Sequence, residues 1–336
     1  MNVHPDNLDL KGETVLLRQL YGKAESDYAE LINFCRTVIS EIDRTYPVVY
    51  KKARRVIRTC LNSVQKNPFL LNMSLYGTYD SYLYSHSANV TILSLYLGKA
   101  YGMKEEELIQ LGIAAIMHDT GMTRYLYLAN QERELKDYEM EKIKNHVILS
   151  CENLDRIADF DYNFREEVAK TILHSHERHS GIGYPFGLKG SEINLMAQII
   201  SLADAYEAMT HFRPWRRALD HHAAIRQLIE VESSLFNPVA LKKLTALLTV
   251  YPPGTLVKLT NGAVAEVFKT NPESFLKPIV KIVMDENFRK VRPYLVDLAS
   301  NKLLGIDRVL DYREIEAKAP RFKGVLELSR IWVNWD

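Results

Sequence analysis

Cysteine is almost absent from this chain. Cys35, Cys60 and Cys151 are its only three, far apart and none in a CxxC pair. That excludes a disulfide framework and a cysteine-built zinc finger, and the expected state is reduced thiols in a cytoplasmic protein. Glycine is also scarce, with 15 residues against 19 tyrosines, which favours helices over a turn-rich sandwich. No sign of charge dominates: 43 Lys and Arg face 42 Asp and Glu, a formal net charge of +1. Such a balance excludes a chain that holds DNA mainly through bulk charge. No apolar run reaches the roughly 20 residues that cross a bilayer, so no membrane association is expected. The first residues, MNVHPDNLDL, lack a basic stretch followed by an apolar core, so no secretory signal is expected either. What remains is an average globular composition, 47% hydrophobic and 25% charged, which excludes wholesale disorder.

The pattern divides into three parts. Residues 1–71 form an expected N-terminal helical region, in which Tyr28, Leu31, Ile32 and Cys35 recur at helical spacing. Pro47 and Pro68 separate two helices there, the second opening on the basic cluster Lys51, Lys52, Arg54 and Arg55. Residues 72–250 read as consecutive helices, one carrying His86, Val90, Leu93 and Leu97 and ending at Gly102. Further helices are expected at 104–118, 138–157, 164–175, 194–211, 219–231 and 238–249, with a glycine-bearing loop over 178–190. After Tyr251-Pro252-Pro253-Gly254 the period falls to two, and Asn261-Gly262 marks a hairpin. Residues 251–336 are therefore expected to be a small β-rich appendage. The fold class is mainly α, a helical bundle with a site in its core.

The middle region strings out His86, the adjacent pair His118-Asp119, His146, His174, His176 and Asp204. These spacings are too long for a zinc finger, but imidazoles and carboxylates from several helices are what a bundle uses to hold metal in its core. A carboxylate next to an imidazole suits two ions, since it bridges them while the imidazole binds one. A histidine alone on an amphipathic helix is more often a core or surface residue. His4, His211, His221, His222 and, at the edge of the loop, His179 take that reading.

The segment HSHERHSGIGYPFGLKGSEINLMAQIISLADAYEAMTHFRPWR, with YSHSANV and IMHDTGM before it, closely resembles the HD-GYP family. These are metal-dependent phosphodiesterases of bacterial signalling that open cyclic di-GMP, and the resemblance covers about residues 72–250. It implies that His86, His118, Asp119, His146, His176 and Asp204 are metal ligands. Asp119 is implied to bridge two divalent ions, iron or manganese, whose shared hydroxide attacks phosphorus. The implied products are pGpG and further GMP. Tyr184 of GYP, Lys189 of GLKG, and Arg213 and Arg216 of RPWR are implied to bind the dinucleotide, the arginines by forked hydrogen bonds to phosphate. Packing of the loop on itself remains open for Tyr184 and Lys189, and contact with helix-terminal carbonyls for the two arginines.

The chain departs from the family pattern at several positions. Ser175 stands where a first of two adjacent histidines is usual, and Met122 where HDxGK has a lysine. Ser180 replaces a common aspartate, and Val147 a usual proline. Tyr82 occupies the place of a glutamate that serves a third ion in some members, so two ions are expected. His174 could replace the ligand lost at Ser175 only if the helix ends there, because residues two apart on a helix point about 200° apart. The loss of a cation at Met122 leaves two readings: an enzyme of low activity, or a receptor that binds cyclic dinucleotide and signals to a partner protein. Another phosphate ester is a third. The amphipathic N-terminal helices leave room for a homodimer.

Overall fold

The computed structural model describes residues 10–44, 48–67, 69–76, 82–158, 161–213, 218–219, 221–248, 255–269, 271, 277–301, 303–310, 314–315 and 318. These fall into two compact units. One spans Leu16–Leu244 and the other holds the described residues up to Val15 and from Thr245 onward. The first holds α1 (Leu10–Arg44) from Leu16 onward, α2 (Tyr50–Lys66) and α3 (Phe69–Tyr76). Helix α2 shows why the sequence folds so: Ala53, Val56, Ile57, Cys60, Leu61 and Val64 form one buried stripe. The basic residues of the same helix face outward, with Arg54 and Arg58 paired to Glu106 and Glu105. Burial pushes the Cys35 and Cys60 thiols up, which keeps them protonated.

The centre of this unit is α4 (Tyr82–Ala100), packed against α3, α5 (Glu105–Met117) and α10 (Leu195–Thr210). Helix α4 is buried on nearly every side from Leu83 to Leu97, so it shows no single apolar face. Between them come α6 (Leu126–Ala129), α7 (Asp137–Lys144), α8 (His146–Glu152) and α9 (Tyr162–Leu173). Helices α11 (His221–Glu230) and α12 (Pro238–Leu247) close the unit. Two dipeptide strands, β1 (Val48–Val49) and β2 (Ile157–Ala158), pair in parallel and tie the α1–α2 turn to the end of α8. The helices expected in residues 16–71 thus share one compact unit with the ligand-bearing ones, and the expected seam at 71–72 is not a division between units. The helix expected over 138–157 is instead two helices broken at Asn145, followed by a turn of 3-10 helix over Asn153–Arg156.

The second unit is an antiparallel sheet of β3 (Leu256–Leu259), β4 (Val264–Lys269), β5 (Ile279–Met284), β6 (Lys290–Asp297) and β7 (Ile306–Val309). Their order is β6-β5-β4-β3-β7, and Gly262, at φ +87°, makes the expected hairpin turn. Two apolar clusters form, one around Val257, Val267 and Ile282 and the other around Leu256, Val264 and Met284. On β3 and β4 the odd-numbered residues fall in the first cluster and the even-numbered in the second, as a pleated strand requires, and a register shift between Ile282 and Met284 moves the end of β5 to the second. The fold is therefore mainly helical with a small C-terminal β unit, as expected.

Candidate metal centre

Four backbone devices bring the histidines together. His118 caps the C-terminus of α5, and Asp119 leaves the helix at φ −107°, ψ 8° into the 3-10 turn Thr120–Tyr125. That turn closes on α8, where Gly121 donates its N–H to the Ser150 hydroxyl at 2.8 Å. A Cβ on Gly121 would lie 2.1 Å from the His146 carbonyl oxygen, so only glycine permits the approach. His146 opens α8 at the Asn145 break. His176 follows the end of α9, whose N-terminus is capped by the Asp161 carboxylate accepting from the Phe164 N–H at 3.2 Å. His86 and Asp204 project from α4 and α10.

Among the described residues, all six expected ligands converge. Asp119 lies 3.3 Å from His86 Nε2, 3.6 Å from His118 Nε2, 3.1 Å from His146 Nε2 and 3.5 Å from His176 Nε2. Asp204 lies 3.5 Å from His86 Nε2 and 3.9 Å from His176 Nδ1. His86, His118 and Asp204 offer ligand atoms within 4.8 Å of one another, and so do His118, Asp119 and His176. The outer nitrogens are fixed from behind: His118 Nδ1 donates to the Ala115 carbonyl at 2.8 Å and His146 Nδ1 to that of Ile143 at 2.7 Å. Each bond leaves Nε2 as the inward ligand atom.

The donor set fits divalent cations. His118 Nε2 and Asp119 Oδ1 are buried without a hydrogen bond, and His146 Nε2 faces His176 Nε2 at 3.1 Å. Buried polar atoms left so, and nitrogen set against nitrogen, are satisfied by a positive ion between them. The titration directions agree. Burial alone would raise the Asp119 carboxyl, but His118 and the other imidazoles outweigh it and hold it well below the usual carboxylate range. Burial presses His176 down to about 4, which leaves a neutral imidazole.

One residue of this centre escaped the sequence reading. Glu207, three residues beyond Asp204 on the same face of α10, accepts from His86 Nδ1 at 2.6 Å. Its other oxygen accepts from Asn89 Nδ2 at 3.1 Å, and Asn89 Oδ1 in turn accepts from the Tyr28 hydroxyl of α1 at 2.6 Å. Burial works against the Glu207 charge, but His86 and His211 hold its carboxyl below the ordinary value. Arg213, expected as a phosphate clamp, is 3% exposed and donates to Glu207 Oε2 at 3.0 Å. Its charge is committed to that carboxylate, because a buried carboxylate draws the nearest guanidinium inward. The Asp-x-x-Glu spacing in LADAYE was the only sequence signal for Glu207.

The glycine-bearing loop is also anchored from within. Glu177, 1% exposed, accepts from the N–H groups of Phe186, Gly187 and Leu188 at 2.7, 3.1 and 3.0 Å. This lays the Tyr184 ring parallel to His176, with centroids 5.1 Å apart, and 6.3 Å from the His146 ring. Burial raises the Tyr184 phenol, so it stays protonated. Lys189 is exposed and its aliphatic stem crosses Gly181. Arg216, His4 and the side chains of Tyr82 and His222 lie outside the described residues.

His174 does not turn to the cluster. The helix does end there, but His174 Nδ1 accepts from the Asn194 N–H at 3.2 Å. The Ser175 hydroxyl is likewise spent on the Ile172 carbonyl at 2.7 Å. His221 bonds the Tyr206 hydroxyl at 2.7 Å, the ordinary packing role expected of it. His211 borders the Glu207 network, 3.5 Å from its Oε1. His179 is pinned through its backbone to Leu235 and Gly190.

Residues 36–238 match the HD domain family, and residues 256–318 match a KOW domain associated with the HD domain. A cyclic di-GMP phosphodiesterase of Pseudomonas aeruginosa is 29% identical over 264 residues, 76% of this chain and 61% of that protein. A cyclic di-GMP phosphodiesterase of Borreliella burgdorferi is 27% identical over 238 residues, 69% of this chain and 60% of that protein. A 3'3'-cGAMP-specific phosphodiesterase of Vibrio cholerae is 28% identical over 171 residues, 50% of this chain and 36% of that one. The chain thus spans about three-fifths of the length of the first two, at 61% and 60%. A HDG"Y"P protein from Bdellovibrio bacteriovorus has a similar structure, with a TM-score of 0.56, 19% identity, and coverage of 68% of this chain and 72% of that one. At that identity the likeness is one of fold. No helix among the described residues is long and apolar enough to cross a membrane.

Proposed function

The chain belongs to the HD domain family, and we propose that it is a metal-dependent phosphodiesterase of the HD-GYP branch, hydrolysing cyclic di-GMP to pGpG and further to GMP. One observation carries this reading: four imidazoles and two carboxylates converge, with His118 Nε2 and Asp119 Oδ1 left buried without hydrogen bonds. His86, His118, Asp119, His146, His176 and Asp204 are the residues that would hold two divalent ions, iron or manganese, with Asp119 shared between them. Bound there, such ions supply a nucleophile at neutral pH and Lewis acidity towards a phosphoryl oxygen. The chain supplies the rest. Asp119, held ionised by its imidazole neighbours, keeps the negative charge the cations need. Glu207 fixes the His86 tautomer from behind, and Arg213 offsets the Glu207 charge. Tyr184 covers His176 with a flat apolar ring beside which the dinucleotide would lie, and Lys189 stands in reach of solvent at the loop edge.

The test is metal content of anaerobically purified protein, paired with product analysis after incubation with cyclic di-GMP and, separately, 3'3'-cGAMP. About two metals per chain with pGpG or GMP formed, and loss of both metal and product in Asp119→Ala, is the expected result. Two metals with every dinucleotide intact would overturn the enzymatic reading. A metal-free protein would overturn the site itself.

A further inference from the structure

A cyclic dinucleotide carries two phosphates, and those of its oxygens that lie beyond the ions proposed above are held best by a protein cation at the edge of the centre. Met122, three residues after Asp119 on the 3-10 turn, carries no charge. Arg213 is committed to Glu207 in the interior. Lys189 lies with its stem across Gly181. Lys144 is differently placed. Its Nζ lies 5.8 Å from the centroid of the Tyr184 ring, the same ring that stacks on His176 at 5.1 Å and stands 6.3 Å from His146.

We propose that Lys144 is a substrate-binding residue that contacts a phosphate of the dinucleotide, furnishing the positive charge absent at Met122. This rests on the phosphodiesterase reading above. Three features of the chain support it. Lys144 closes α7 two residues before His146, so the break at Asn145 that opens α8 fixes the base of both side chains. The Tyr184 ring, which also stacks on His176, attracts the ammonium through its quadrupole and keeps it near the ligand cluster. Its ionic partner is Glu141, one turn back on α7, and the two side chains are 36% and 68% exposed. An exposed pair of this kind is weak and screened, so the ammonium is free to exchange that carboxylate for a phosphate. The flexible stem of lysine and its compact charge suit a contact that forms only when substrate arrives.

Hydrolysis of cyclic di-GMP by the metal-loaded full chain, together with equilibrium binding of pGpG at several salt concentrations, tests the proposal. Lys144→Met should lower kcat/KM roughly 10- to 100-fold, the range for one charge-assisted hydrogen bond. It should weaken pGpG binding and flatten its salt dependence, with metal content and melting temperature unchanged. Lys144→Arg should keep most of the activity, and Met122→Lys should restore part of it in the Lys144→Met background. Glu141→Gln, which frees the ammonium, should tighten pGpG binding. Unchanged kinetics and salt dependence in Lys144→Met would overturn the proposal. So would a loss of metal in step with activity, which would make Lys144 a support of the fold. A parent chain that neither binds nor cleaves any dinucleotide fails earlier, at the phosphodiesterase reading, and takes the proposal with it.

Discussion

Glu207 illustrates how much of the centre depends on residues that would never touch a metal ion. Its carboxylate, 2% exposed, meets His86 Nδ1, Asn89 Nδ2 and the Arg213 guanidinium within 3.1 Å. The bond to Nδ1 turns Nε2 inward towards Asp119 and Asp204 and raises the basicity of that nitrogen. Glu207→Gln preserves the shape but removes the charge, leaving a buried guanidinium opposite a neutral amide. Metal affinity should fall about 10- to 100-fold, the usual cost of losing an outer-shell partner of a ligating histidine. Competition against a chelator of known affinity measures this directly. Parent-like affinity in Glu207→Gln would show that the bond to His86 is structural only.

At the scale of elements, α7 governs His146, because the Ile143 carbonyl at its end accepts the imidazole Nδ1–H at 2.7 Å. The other end of α7 is held by Glu139, which takes both Arg133 nitrogens at 2.8 Å and the Lys136 N–H at 2.9 Å. Arg133 and then the Lys136 amide lower the Glu139 carboxyl from 4.5 to about 2. A depressed carboxyl stabilises the fold above its unfolded value and ceases to do so as pH falls through the folded one. Glu139→Gln should therefore melt below the parent chain at neutral pH. The gap should close as pH falls from about 4.5 to about 2. Thermal melts of both chains across that window read it, and a gap independent of pH would sink the assignment to Glu139. The same elements show what a sequence exposes and what it hides. The proposed ligands are legible because imidazole and carboxylate announce their chemistry, and the helices because their apolar residues recur at the right period. Glu207 and His86 are 121 residues apart, and no local pattern reports a contact of that range. The break at Asn145 was equally silent, since no proline or glycine marks it. Strand β7 is equally hard to read, because Ile306–Val309 is mostly exposed and lacks alternation.

For the whole molecule, every proposed ligand of the centre and every partner named for it lies within the unit Leu16–Leu244. Even the outermost link, Tyr28 to Asn89, is internal to that unit. The sheet from Leu256 to Val309 has its own apolar clusters, built from its own strands. Metal should therefore be linked to the folding of one unit alone. An ion bound only by the folded state stabilises it by RT ln(1 + [L]/Kd), about 2.7 kcal/mol at a free concentration of 100 Kd. Calorimetry should thus show a melting transition that rises on adding manganese and falls on adding a chelator. A chain ended after residue 250 should show a shift of the same size, because it keeps all the ligands and loses only the sheet. A smaller shift in the shortened chain would mean that residues after 250 help to hold the metal.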